Sequence, residues 1–184
     1  MSTTKVVTGK VRFSYAHVHE MHAMEGGTPK YSVSIIIPKD DVKTLNKVKA
    51  AIKSAYDSAV ASKFGGKAPK KGQWKNPLRD GDEDREQEEY NNAFFINAST
   101  TRKPTIVDAN RDEILSNSEF YSGCYGRASL NFYGFSVNGN KGVAAGLNHL
   151  QKLSEGTALG AAISTAESDF GDDFEDAAED DILF

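Results

Sequence analysis

Gly123-Cys-Tyr-Gly-Arg-Ala-Ser-Leu-Asn-Phe-Tyr-Gly-Phe-Ser-Val137 alternates by twos. Ala128, Leu130 and Phe132 fall on one side, and Tyr125, Arg127, Ser129, Asn131 and Tyr133 on the other. A period of two held over this length predicts a strand with one face in a core. The second face is polar yet carries two aromatic rings and a guanidinium. Flat π faces for bases beside cations for phosphates are what unpaired nucleic acid needs from a protein surface. The plainer alternative is that both tyrosines are half-buried sheet residues.

Working outward, the same period predicts strands at 5–15, 30–37, 93–101 and 141–152, with a short apolar piece at 104–107. In the first, Val7, Val11, Phe13 and Tyr15 share one parity, while Lys10, Arg12 and Ser14 share the other. In the second, Tyr31, Val33, Ile35 and Ile37 fall together, and Pro38 ends the run by withholding a ladder donor. Between 41 and 63 the period becomes helical, with Leu45, Val48, Ile52, Tyr56 and Ala59 three or four apart. Asp40 or Asp41 supplies an N-cap, and Gly65-Gly66 the stop. The chain therefore reads as mainly β, with one amphipathic α-helix laid against a sheet. No internal repeat is visible.

Residues 64–92 have neither period, and a connection this long is usually functional or disordered. Lys67, Lys70, Lys71, Lys75 and Arg79 surround Trp74 without an acid between them, whereas seven acids crowd residues 80–89 against the single Arg85. The first half adds to a cationic surface that includes Lys10, Arg12 and Arg102-Lys103. Trp74 could simply pin its loop to the body, but it is read here as a DNA contact among these lysines. The acidic half reads as a solvated, self-repelling run, with metal-bound nuclease carboxylates as the alternative.

The end of the chain differs from the rest. Residues 167–184 hold nine acids and no Lys or Arg, so a chain of net charge minus four has a body near plus five. Asp180, Asp181, Ile182, Leu183 and Phe184 close it with an apolar tip and a carboxylate, suited to a basic-rimmed pocket on a partner. The same polyanion can compete with phosphate for the body's own cations. We expect one folded domain over 1–153 and a flexible linker with a disordered acidic tail over 154–184. At 184 residues and 39% apolar content, one core is all that length requires.

Cys124 is the only cysteine, which excludes an intrachain disulfide and fits a reducing compartment. No run approaches the ~20 apolar residues of a membrane helix, so a soluble protein of the cytoplasm is expected. His17, His19, Glu20 and His22 form the one metal-like cluster, but no distant ligand pair accompanies them. No metal and no cofactor are expected. Neither a nucleophile elbow, a P-loop nor a zinc-deaminase pattern occurs, so the chain is read as a binder and not an enzyme. A protein-interaction module that mimics DNA with its acidic segments is the competing class. A homodimer is compatible with the sequence.

The tail ending Asp180-Asp181-Ile182-Leu183-Phe184 resembles the acidic, Phe-terminated tips of bacterial and T7-like phage single-stranded DNA-binding proteins. The run from Gly123 to Phe135, followed by Gly139-Asn-Lys-Gly-Val143 and Leu147 to Leu153, resembles a family of phage-encoded single-stranded DNA-binding proteins first classed as domain of unknown function 2815. That resemblance spans most of the chain. It implies an OB-fold-like barrel that coats single-stranded DNA during replication, recombination or repair in the bacterial host cytoplasm. It also implies stacking by Tyr125 and Tyr133, phosphate contact by Arg127, and docking of replication or recombination enzymes on Phe184 with Asp180 and Asp181. One departure stands out: an OB barrel generally sets its helix after the third strand, and only two strands are evident before Asp41.

Overall fold

The computed structural model describes residues 3–23 and 27–159. In chain order the elements are β1 (Lys5–Val7), β2 (Val11–His22), β3 (Lys30–Pro38), α1 (Val42–Ser62), β4 (Arg79–Asp80), α2 (Gly81–Asp84), a 3-10 turn (Glu88–Tyr90), β5 (Ala93–Thr100), β6 (Thr105–Val107), β7 (Tyr125–Val137) and β8 (Asn140–Ser154). The architecture is mainly β, as the alternation predicts.

Five strands form a ring. β7 meets β2, β2 pairs with β3, β3 with β5, β5 runs parallel to β8, and β8 returns antiparallel along the whole of β7. Two seams are short: β2 and β7 share Val11–Gly126 and Arg12–Tyr125, and β5 and β8 share Ala98–Ala145 and Ser99–Gly146. The result is an OB-like ring and not a strict barrel. β1 extends the sheet beside β7, and β6 beside β8. The helix enters after the second ring strand, as the strand count before Asp41 implied. Residues 15–30 conceal no further strand among those described, because β2 simply runs on to His22.

α1 begins where Asp41 accepts a hydrogen bond from the Thr44 amide at 3.2 Å. It buries Leu45, Val48, Ala51, Ile52, Ala55 and Ala59, one stripe at helical spacing. The first five pack with Val11, Phe13, Val33, Ile35, Ile96, Leu130 and Phe132 into one core. The helix comes close to β7 at Gly134, where a Cβ would stand 2.2 Å from the Ala59 Cβ.

Two expectations about strand faces need correction. The strand expected over 5–15 breaks at Thr8–Lys10, where the Gly9 amide turns aside to donate to Thr44 Oγ1 at 2.9 Å. The break shifts parity, so Val6 is buried and Val7 is exposed. Tyr15 also leaves the core: an extra residue between Ser14 and His17 bulges the strand, and Tyr15 takes φ 47° with its side chain 49% exposed. β3, expected to be oily on one face, is buried on both. Val33, Ile35 and Ile37 enter the main core, while Ile36 joins a second cluster with Tyr90, Ala93 and Phe95.

That second cluster exists because residues 79–92 fold across the outer face of β3 and β5. Tyr90 donates its hydroxyl hydrogen to Ser34 Oγ at 2.9 Å within the cluster. The acidic run is thus not simply solvated: Lys39 pairs with Asp80 and Asp82 at 2.9 and 2.8 Å, and Arg79 with Asp84 at 3.1 Å. Ion pairs this exposed contribute about 0–1 kcal/mol each. Burying Tyr90 and Phe95 contributes roughly 2–3 kcal/mol apiece, so the aromatic anchors hold the arm.

Beyond β8, residues 155–159 lie back over the 121–123 loop. The Leu159 amide donates to Ser122 O at 2.9 Å, and Arg12 donates to Thr157 O at 2.8 Å. Gly123, at φ 117°, makes this approach possible, since a Cβ there would stand 2.1 Å from Thr157 O. The acidic tail and its tip, Asp180 to Phe184, lie outside the described residues.

Candidate nucleic-acid interface

The outer face of β7 carries the residues the alternation assigned to it. Ala128, Leu130 and Phe132 are buried, while Arg127, Asn131 and Tyr133 are exposed and Tyr125 and Ser129 half-buried. Ala144 of β8 lies opposite Tyr133, and Gly146 opposite Asn131. The Tyr133 ring lies across that strand at Gly146, where a Cβ would meet the ring's Cε1 in ordinary contact at 3.5 Å. Tyr133 is 42% exposed, so an aromatic surface is presented to solvent.

Tyr125 sits at the other end of β7, about 27 Å away at 3.4 Å per residue. Lys10 Nζ and the Arg12 guanidinium stand 5.4 and 5.3 Å from its ring centre. The ring therefore gathers two cations before any ligand arrives. Arg12 is itself anchored, donating from Nε to Gly123 O at 3.1 Å. Together these residues line a groove of about 940 Å³ whose other walls include Asp40, Glu88, Glu89 and Glu155. Four carboxylates thus line this groove together with the two cations.

The Lys67–Lys75 loop ends against the edge of β8, where Lys75 N donates to Lys141 O at 2.9 Å and Val143 N to Lys75 O at 3.0 Å. Lys67, Lys70, Lys71 and Lys75 are exposed there. Lys75 bridges to Gly142, two residues from the Ala144 opposite Tyr133, so the basic loop and the Tyr133 ring share one end of the sheet. Trp74, expected to contact DNA, is half-buried and packs on Tyr56 of α1, with ring centres 4.7 Å apart. Arg102 is exposed in the turn after β5, three residues beyond Ser99, which pairs with Gly146. Arg127 donates from Nε to Thr8 O at 2.9 Å, holding the turn between β1 and β2 while remaining exposed.

The histidines do not converge. His17 and His22 stack on each other with ring centres 4.1 Å apart and planes 10° from parallel, while His19 donates from Nε2 to Phe120 O at 2.9 Å. Burial, reinforced by His22, holds His17 below the usual histidine pKa. Among the described residues no group of three His, Cys, Asp or Glu side chains is placed to hold a metal ion. Burial raises the Cys124 thiol pKa, which disfavours its reactive thiolate. Among the described residues no helix is long and apolar enough to cross a membrane.

Sequence reasoning missed the acidic wall at Glu88 and Glu89 and the outward turn of Tyr15. The wall depends on where a non-periodic arm lands. Tyr15 depends on a bulge, and the only local trace is an aromatic at the end of an otherwise regular alternation.

Comparison with known proteins gives one consistent result. Residues 4–183 match the family model described as Enterobacter phage Enc34, ssDNA-binding protein. A putative protein, p50, of Acyrthosiphon pisum secondary endosymbiont phage 1 is 32% identical over 189 residues, covering 97% of this chain and 98% of its own. Among solved structures, the single-stranded DNA-binding protein from bacteriophage Enc34 in complex with ssDNA superimposes with a TM-score of 0.73 at 24% identity, over 85% of this chain and 90% of that one. Bacteriophage T7 gp2.5, a single-stranded DNA-binding protein, superimposes with a TM-score of 0.61 at 12% identity, over 90% and 99%.

Proposed function

The chain belongs to the family of the Enterobacter phage Enc34 single-stranded DNA-binding protein, and from that premise we propose that it coats single-stranded DNA without sequence preference in phage replication, recombination and repair. The setting is the host cytoplasm. The observation that carries this reading is the outer face of β7 and β8, where the open Tyr133 ring lies over Gly146 between Arg127 and the Lys67–Lys75 loop. Its action is physical. Lys10, Arg12, Lys67, Lys70, Lys71, Lys75, Arg102 and Arg127 neutralise phosphates and release counterions, while Tyr133 and Tyr125 meet bases. Duplex is disfavoured because its bases already stack on each other.

The acidic tail has two roles in this scheme. Asp180, Asp181, Ile182, Leu183 and Phe184 dock replication or recombination enzymes, and the whole segment competes with DNA when no partner holds it. Leu159, the last described residue, lines the same groove as Lys10, Arg12 and Tyr125, and the acidic run begins at Glu167, eight positions further along the chain. A short tether of this kind sets an effective concentration on the order of millimolar. Deleting residues 167–184 should therefore tighten DNA binding at low salt.

A titration of the full chain and the 1–166 truncation with poly-dT across a salt series tests the reading. Affinity should fall as salt rises, with a log–log slope of about −0.7 per phosphate neutralised. Duplex competitor should displace little. Absence of binding in both proteins would overturn it, and would favour the DNA-mimic alternative.

A further inference from the structure

β2 carries aromatic side chains that the interface above leaves unused. Tyr15 adopts φ 47°, a left-handed conformation that is costly for a bulky residue. The bulge could be made by Gly or Asn, yet it carries a large ring that gains little packing, being 49% exposed. Its hydroxyl accepts a hydrogen bond from Gln87 Nε2 at 2.9 Å, which tethers the ring to the 79–92 arm. Further along the strand, the His17 and His22 rings lie parallel at 4.1 Å, and His22 is exposed. Two parallel aromatic planes with an accessible end can take a third at a similar spacing.

We propose that Tyr15 and the stacked His17–His22 pair form a second base-stacking station on the outer face of β2, for nucleobases of the same unpaired strand that meets Tyr125 and Tyr133. The inference rests on the single-stranded DNA reading given above and adds a site to it.

The two stations lie along one strand and flank a covered stretch, since Ser14 between them is buried beside Ser34 and its Tyr90 partner. Arg12, beside Tyr125, and His17 both occupy outward positions of β2, opposite Ile36 and Ser32 of β3. Because of the bulge they are separated by only four steps of β3, from Ile36 to Ser32, about 13 Å. At the far end the exposed Lys30 pairs in register with His22 and offers a cation to a phosphate. Glu20 is exposed on the same strand and disfavours a phosphate beside it, so Lys30 provides the backbone contact there. With its protonation disfavoured by burial, His17 presents a neutral ring at neutral pH.

The test uses full-length protein, an oligothymidylate of about 30 nucleotides, longer than the ~4–16 an OB fold covers, and the double variant Tyr15→Asn with His22→Ala. Asn tolerates the left-handed backbone, and His22 is exposed, so the thermal midpoint should stay near that of wild type. We expect affinity to fall on the order of tenfold per lost stack, with a smaller occluded site size. Wild-type affinity and site size in the folded double variant would overturn the proposal. Photocrosslinking of the unmodified protein to a 5-iodouracil-substituted strand provides an independent readout: adducts on residues 15–22 support the station, and adducts found only outside that segment sink it. If wild-type protein does not bind the oligonucleotide at all, the parent reading has failed instead.

Discussion

The guanidinium of Arg12 stands 5.3 Å from the centre of the Tyr125 ring while it donates to the carbonyls of Gly123 and Thr157. One side chain thus ties the start of β2, the start of β7 and the segment after β8 together at the groove. Arg12→Lys keeps the charge but cannot reproduce two donors held in one plane. It should lower stability by about 1–2 kcal/mol in urea denaturation, as expected for lost charged hydrogen bonds. It should also expose the 155–159 segment to proteolysis; unchanged stability and cleavage would show that the anchor is idle.

Tyr133 and Tyr125 are expected to fail differently. Tyr133→Ala removes an open ring and should reduce affinity for oligothymidylate by about 1–3 kcal/mol with little change in salt slope. Tyr125→Ala also frees Lys10 and Arg12 from their ring, so its salt slope should change as well. Fluorescence titrations at several ionic strengths separate the two, and identical behaviour would contradict the distinction.

Tyr90 anchors the acidic arm. Tyr90→Phe leaves Ser34 Oγ without its partner and should cost about 1 kcal/mol. Tyr90→Ala empties the second cluster and should cost roughly 3–5 kcal/mol, comparable to other buried aromatic truncations. Hydrogen exchange of residues 79–92 should accelerate in the Ala variant well before β3 and β5 lose protection. Simultaneous loss across the sheet would show that the arm is part of the main cooperative unit.

His17 makes stability depend on pH. Its folded pKa lies below the unfolded value near 6.5, so the unfolded chain takes up the proton first. Stability is complete above that value and is lost as pH falls from about 6.5 toward the folded pKa. The thermal midpoint should drop between pH 7.5 and 5.5 by more in wild type than in His17→Asn. Equal drops would assign the dependence to other groups.

Much of the fold was legible because it follows from period. Alternation placed β7 and its two faces correctly from Tyr125 to Tyr133, and the stripe from Leu45 to Ala59 placed α1, with the structure choosing Asp41 over Asp40 as its cap. Cross-strand consequences were not legible. Gly146 beneath Tyr133, Lys75 against Gly142 and the pairing of Lys39 with Asp80 and Asp82 each join residues far apart in the chain. The packing of Trp74 on Tyr56 likewise joins a loop to a helix that no local pattern connects.

By itself the sequence determined the mainly β class, the helix, the polar aromatic face of β7 and the separation of a basic body from an acidic end, since hydrophobic period and charge are local properties. Only tertiary structure decided the ring closure, the outward turn of Tyr15 and the burial of β3 on both faces. Those depend on which distant segments meet: a one-residue bulge reverses a side chain, and a non-periodic arm can cover whatever face its aromatic anchors find.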